Sequence, residues 1–478
     1  MQDLNFKRPI KTIASTVGEI IEDEKAKNKI PKKKKKIEKI AHFISNGYIG
    51  EMILPKKAKA CFAIYHPKNK HLSYLDEVEL EGRIYKPATG DSLVIGNNLK
   101  IPSSIKKYPS LGKLKENLRN FVSKYVYIAD DLDREIIITY IMLTWVFDRF
   151  SSIPYLRILG EFGTGKSRLL KVLTVCYNSY YTFGLASPAP IFRLIDKYNC
   201  TLIIDELEVS SKNEKNDAIK EIIRAGNSYD GVVARCNPNT LDPIGFKVFS
   251  PKILGSRRPT NDDALESRLI SIRMQESKSE NIPLQLDREE FDKDCDEIRS
   301  MLLYYRLTNY FSINPKAYKD LIDNTVSNRL SEMIAPLVCI RTSDKDFIDA
   351  LLELTKDKNG QLREDKSMSF EAEILGAIYM IHAKEGNDPL VMDIVDYISS
   401  ETKRNYSPRF LGNIMRDNFK LRTAHTRDGN VVIYEEKKIL NLLKEYNISE
   451  IVDSKDMTFY DHIKSGIKRE SRKIRKNW

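Results

Sequence analysis

The sequence predicts an α/β protein in three parts: a small β-rich module, a strand–loop–helix core, and a C-terminal unit of helices and a hairpin. Three observations carry that prediction. Gly160-Glu161-Phe162-Gly163-Thr164-Gly165-Lys166-Ser167 is a complete G-x-x-x-x-G-K-[ST] run, entered by the apolar Tyr155–Leu159 and left by a helical pattern from Arg168. Leu202-Ile203-Ile204 is an apolar strand pattern that ends in two acids, Asp205 and Glu206. Residues 370–450 give three helical patterns and then two strand patterns about Asp428-Gly429.

The chain of 478 residues carries a net charge of +11, most of it at the ends. Residues 1–40 hold twelve Lys/Arg against six acids, and residues 462–478 hold seven against one. The expectation is a basic, poorly ordered arm over 1–40, a basic tail over 451–478, and a near-neutral body. Such ends suit phosphate, although solvated tails would look the same. The longest apolar run, Ile136–Phe147, is too short to span a bilayer, and the first residues have no signal-peptide pattern. The six cysteines are scattered and form no zinc pattern with the histidines. A cytoplasmic protein with reduced thiols is expected, or a nuclear one in a eukaryote, where Lys32–Lys36 would serve as an import signal.

From 41 to 105 the pattern is β-like, with strand candidates at Cys61–Tyr65, Glu77–Glu81 and Leu93–Ile95. Helices are expected at Leu114–Val126 and Arg134–Phe150, ahead of a core that closes near residue 275. In that core, Gly160, Gly163 and Gly165 let backbone N–H groups, that of Thr164 included, turn inward around an oligophosphate. Lys166 reaches the β- and γ-phosphates, and the Ser167 hydroxyl ligates Mg²⁺. Asp205 then completes the Mg²⁺ shell, and Glu206 orients and deprotonates the attacking water. ATP and Mg²⁺ are the expected cofactors.

The Asp205-Glu206 pair resembles the AAA+ branch of P-loop ATPases, and further segments are similar to that family in order. The resemblance implies a three-layer AAA+ core over 106–275 and a helical lid over 276–365. Lys252–Ser256 looks like the next core strand, whose polar end, Ser256 or Arg257, stands where the family has sensor 1. Glu266-Ser267-Arg268 is similar to the S-R-F motif of MCM-type helicases. That likeness implies an arginine finger at Arg268, whose plainer reading is a surface arginine paired with Glu266 or Asp263. Ser327–Leu337 looks like the lid helix, with Arg329 as the sensor 2 candidate or simply a solvent-facing residue. Together with Thr144-Trp145, Pro154-Tyr155-Leu156 and Ser187–Arg193, these segments resemble AAA+ helicase-like and primase–helicase-associated proteins of phages and mobile elements, over roughly residues 80–450.

Residues 366–450 read as a winged helix-turn-helix, with helices at Ala372–Ala383, Leu390–Ser399 and from Ser407 through Asp417. Strands at Phe419–Thr423 and Val431–Tyr434 would form the wing. Arg409, Asn413, Arg416, Lys420, Arg422 and Arg427 suit DNA phosphate and groove contacts, while a protein-docking module is the rival reading. Gly231–Cys236 and Phe246–Phe249 would pair as a hairpin, or equally form a core strand and a surface loop, and by resemblance to a pore hairpin Arg235 or Lys247 would touch a translocating strand. The expected function is an ATP-dependent DNA helicase or translocase of the AAA+ type for a viral or mobile genome. It would work as a hexameric ring hydrolysing ATP between subunits. The alternative is an ATP-regulated DNA-binding initiator, loader or transcriptional regulator that unwinds nothing.

Overall fold

The computed structural model describes residues 36–448, apart from 46, 69, 91–93, 95–97, 184–187, 207–213, 238–239, 260–261, 277–281, 323–327, 368, 403–404 and 447. The chain is mixed α/β and divides into two compact units, Met1–Leu352 and Glu353–Trp478. The tail 451–478, the first 35 residues and most of the 93–95 strand candidate lie outside the described residues.

The first unit opens with short strands: β1 (Ile37–Ile40), β2 (His42–Ser45), β3 (Tyr48–Ile53), β4 (Cys61–His66), β5 (His71–Leu75), β6 (Val78–Leu80), β7 (Arg83–Pro87) and β8 (Leu99–Lys100). Strands β2 to β5 form an antiparallel meander, while β7 pairs with β1 in parallel and with β6 antiparallel. Residues 37–40, read from sequence as part of a disordered arm, are therefore strand. Exposure alternates along them, as on a half-covered edge strand, and β7 supplies the partner.

Two helices lead into the core. Helix α1 (Leu111–Tyr125) is capped by Ser110, whose Oγ accepts from the Lys113 amide at 3.2 Å. Helix α2 (Asp131–Thr144) is capped by Asp130 and buried without a break from Ile136 to Thr144. Burial on all sides removes the polar face that would mark its boundary. The sequence pattern ran on to Phe150, but α2 stops at Thr144 because the next residues turn into a short 3₁₀ segment, Phe147–Arg149. Trp145 is held there by donating its indole N–H to the Val175 carbonyl at 3.2 Å.

The central sheet comes next: β9 (Tyr155–Leu159), α3 (Lys166–Val172), β10 (Ser179–Phe183), α4 (Pro188–Tyr198), β11 (Leu202–Asp205) and α5 (Glu214–Ala225). After a hairpin of β12 (Val232–Cys236) and β13 (Pro243–Lys247) follow β14 (Lys252–Ser256), α6 (Asp263–Glu266) and β15 (Leu269–Arg273). The strand order is β15-β9-β14-β11-β10-β8. All neighbours are parallel except β8, which joins β10 antiparallel. The Ile and Leu of β9, β11 and β14, with nearly every residue of these strands buried, are what a parallel sheet covered on both faces requires.

Helices α7 (Arg288–Asn309) and α8 (Asn328–Ile340) complete the first unit, and α9 (Lys345–Ser367) follows in sequence. The second unit contains α10 (Phe370–Glu385), α11 (Val391–Thr402), α12 (Pro408–Asp417), a hairpin of β16 (Thr423–Thr426) and β17 (Gly429–Val432), and α13 (Glu436–Glu445). The hairpin is shifted from the sequence reading. Thr426 pairs with Gly429, and the turn falls on Arg427-Asp428. Phe419 and Leu421 are not strand but buried core, with the Leu421 amide donating to the Met415 carbonyl at 2.9 Å.

Candidate functional site

The Gly160–Ser167 segment joins the C-terminal end of β9 to the start of α3. Its strand is buried on both faces and gripped by β14 on one side and β15 on the other, so the loop leaves a fixed point. Gly163 (φ 81°) and Gly165 (φ 84°) occupy left-handed backbone that a side chain would strain, and Gly165 is the N-cap of α3. A Cβ on Gly160 would collide with the Thr164 hydroxyl, which donates to the Glu161 carbonyl at 2.8 Å. Lys166 is buried, whereas Ser167 beside it is exposed.

Asp205 ends β11, one strand away from β9 across β14. Its carboxylate is fully buried. Oδ2 accepts from the Tyr181 hydroxyl at 2.9 Å, and Oδ1 has no hydrogen-bond partner. The Ser256 hydroxyl, at the end of β14, is likewise buried without a partner. A buried carboxylate oxygen without a donor is costly unless a cation satisfies it, so this donor set fits Mg²⁺. Asp205 and Ser167 are the residues that would hold it. Gly255 keeps the space open, since a Cβ there would stand 3.0 Å from Asp205 Oδ1. Burial, and then the Asp205 charge, raises the Tyr181 phenol well above its ordinary value, so it remains a donor.

Glu206 follows at φ 60°, in the left-handed region, and its carboxylate lies 3.5 Å from the Arg257 guanidinium. Arg257 also stacks on the ring of Phe162, 3.9 Å from its centroid. Phe162 is 77% exposed at the tip of the glycine loop. Arg257 thus links the loop tip to the second acid, while Ser256 lies beneath.

Arg268 and Arg329 stand elsewhere. Arg268 immediately precedes β15, and its carbonyl accepts from the Tyr155 amide at 2.9 Å, at the start of β9. The glycine loop is at the other end of β9, about 16 Å away along five residues of strand. Arg268 Nε donates to Asn227 Oδ1 at 3.2 Å. Arg268 and Arg329 line one cavity of about 640 Å³, with Ser151, Asn227, Ser267 and Glu332 among its other walls. The two arginines come together, and away from their own chain's glycine loop.

The exposed hairpin β12–β13 carries the other two basic candidates. Arg235 pairs with Glu221 at 3.0 Å, so its charge is engaged, and Lys247 is exposed. In the second unit, α12 starts at a Ser407 cap with Pro408 in its first turn. Arg409, Asn413 and Arg416 are exposed on one helical stripe, with Arg416 donating to Asn413 at 2.6 Å. Arg422 pairs with Glu435 at 3.0 Å, Arg427 sits in the hairpin turn, and Lys420 has φ 53° with its carbonyl accepting from Lys438.

Two residues of the site were missed in the sequence. Tyr181 belongs to a polar-looking run, Ser179-Tyr180-Tyr181-Thr182, with no motif around it. Arg157 interrupts the apolar β9 and is 5% exposed, held by Glu266 and by Ser271 at 2.8 Å. A charge inside the strand that enters the loop was the available signal, and it called for a partner.

No family model and no curated protein matches the chain. Among solved structures, the apo A form of the NrS-1 C-terminal region is similar at 12% identity and a TM-score of 0.37, covering 80% of this chain and 96% of that one. A second structure of the same region gives 11% identity and a TM-score of 0.38 over the same shares. Likeness at that level carries no argument about activity. Among the described residues, no helix is long and apolar enough to cross a membrane.

Proposed function

We propose that this chain is a Mg²⁺-dependent ATPase of the AAA+ type that moves along or unwinds DNA as a ring of identical subunits, in replication of a viral or mobile genome. The observation that carries the reading is the buried Asp205 carboxylate, one oxygen fixed by Tyr181 and the other without a partner, at the same sheet edge as the Gly160–Ser167 loop. In this reading the loop's N–H groups and Lys166 hold the phosphates of ATP. Mg²⁺, when bound, neutralises phosphate charge. Glu206 is the base for the attacking water, with Arg257 keeping its carboxylate near the loop tip.

Arg268 supports the assembly. It lies at the opposite end of β9 from its own loop, so it serves the site of a neighbouring copy, with Arg329 beside it. The second unit, through Arg409, Asn413, Arg416 and Arg427, holds DNA.

The test is steady-state ATP hydrolysis with no DNA, single-stranded DNA or duplex DNA, on the wild type, Lys166→Ala and Glu206→Gln. The reading expects turnover stimulated by DNA and reduced at least a hundredfold in both variants. Turnover indifferent to DNA would remove the motor, and unimpaired Glu206→Gln would remove the assigned base.

A further inference from the structure

We infer that the second unit carries a stacking site for an unpaired nucleobase, formed by Phe370, Tyr406 and Phe410. The inference rests on the DNA-acting part of the proposed function and names the form of DNA that this unit takes. Phe410 stacks on the other two rings, 6.2 Å from Phe370 at 25° and 6.4 Å from Tyr406 at 11°, while Phe370 and Tyr406 lie 4.8 Å apart and tilted by 32°. Phe370 and Tyr406 pack against the buried core of the unit. Phe410 lies outside that core and is 47% exposed. Its ring stacks on both neighbours and still leaves about half of its surface to solvent.

The surface is built firmly. Ser369 caps α10 by accepting from the Ala372 amide at 3.2 Å, one residue before Phe370. Ser407 caps α12 by accepting from the amide of Phe410 itself at 3.1 Å, one residue after Tyr406. Both caps fix the backbone that carries the rings. The charge beside them is complementary to nucleic acid. Arg409 precedes Phe410 and is exposed, Asn413 and Arg416 continue along the same helix, and α12 holds no acid before Asp417. The nearest acid on α10, Glu371, accepts from the Asn418 side-chain Nδ2 at 3.3 Å.

A base face stacks on aromatic rings whatever its sequence, while flanking arginines take the phosphates. Paired bases within a duplex keep both faces covered by their neighbours. The occupant is therefore a base in single-stranded or locally opened DNA.

The experiment uses the full chain and an oligonucleotide carrying 2-aminopurine, as a single strand and as a duplex. Affinity is read by anisotropy and stacking by 2-aminopurine quenching. Phe410→Ala should weaken single-strand binding roughly tenfold and remove the quenching, with duplex affinity unchanged. Phe410→Trp should keep both signals, and Arg409→Ala should lose affinity yet keep the quenching at saturation. Wild-type rates of DNA-free ATP hydrolysis and a melting temperature lowered by only a few degrees in Phe410→Ala are expected alongside. Unchanged single-strand affinity in Phe410→Ala, or equal losses on both forms of DNA, overturns the site. Wild type that binds duplex alone overturns this inference and leaves the ATPase reading standing. Wild type that binds no DNA overturns the DNA-acting reading itself.

Discussion

The hydroxyl of Tyr181 donates to Oδ2 of Asp205 at 2.9 Å and leaves Oδ1 of the same carboxylate unpartnered. One neutral donor therefore fixes the orientation of the charge expected to meet Mg²⁺. Replacing Tyr181 by Phe removes a hydrogen bond to a charged acceptor, about 1.5–3 kcal/mol. The expected result is a rise of roughly tenfold in the Mg²⁺ concentration that half-saturates ATP hydrolysis, with a much smaller change at saturating Mg²⁺. An Mg²⁺ titration of turnover in Tyr181→Phe checks this. An unshifted midpoint would separate Tyr181 from the metal site.

Arg268 and Lys166 stand at opposite ends of β9, so in the ATPase proposed above one copy would not bring both to the same nucleotide. Lys166→Ala and Arg268→Ala proteins should each be inactive alone. Mixed in equal amounts, they should regain measurable turnover, because an intact Lys166 in one copy can face an intact Arg268 in the next. Mixtures that stay inactive, although the two proteins co-assemble, would assign Arg268 to structure alone.

Arg306 is fully buried and donates to Glu51 at 2.5 Å, to both Asp148 oxygens at 2.8 Å, and to the Trp145 carbonyl at 2.7 Å. Burial alone would raise the Asp148 carboxyl, but the Arg306 guanidinium outweighs it and holds the group below the usual range. Arg306→Ala takes their guanidinium partner from Glu51 and Asp148, and a broken buried pair costs about 3–5 kcal/mol. A fall of that size in unfolding free energy by urea titration is the expected outcome.

Lys252 gives a pH dependence of definite sign. Its ammonium is buried against the carbonyls of Gly226, Val248 and Ser250, at 3.3, 3.0 and 3.0 Å. Burial pushes its pKa down from the ordinary 10.5 to about 7. Between those two values the unfolded chain binds the additional proton, so this group's contribution to stability rises with pH across the window and is lost as pH falls towards 7. Lys252→Met should flatten the rise in urea midpoint between about pH 7 and 9. An identical slope in wild type and variant would discard the assignment.

The parts legible in the sequence were those in which one residue type has one backbone use. The glycines of the 160–167 loop, the Leu202–Asp205 strand with its terminal acids, and the Ser407-Pro408 helix start all fall where the pattern put them. The ends of elements buried on every side were not legible. Helix α2 has no polar face to mark Thr144 as its last residue, so hydrophobicity carried the reading past it. Strands β1 and β7 pair across more than forty residues, and no local pattern in charged, Lys-rich sequence announces such a partner. Tyr181 and Arg157 owe their places to neighbours brought by the sheet order. Spacing along the chain carries no trace of that order.

Strand β8 is only two residues long, but it closes the β10 edge of the central sheet, and it comes from the segment ahead of α1. A core cut free after residue 100 would leave β10 open at Ser179 and Tyr180 as a template for other chains. The segment ahead of α1 thus covers part of the outer edge of the central sheet as well as leading into the core. A shorter version of this protein that begins upstream of Leu99 keeps that cover.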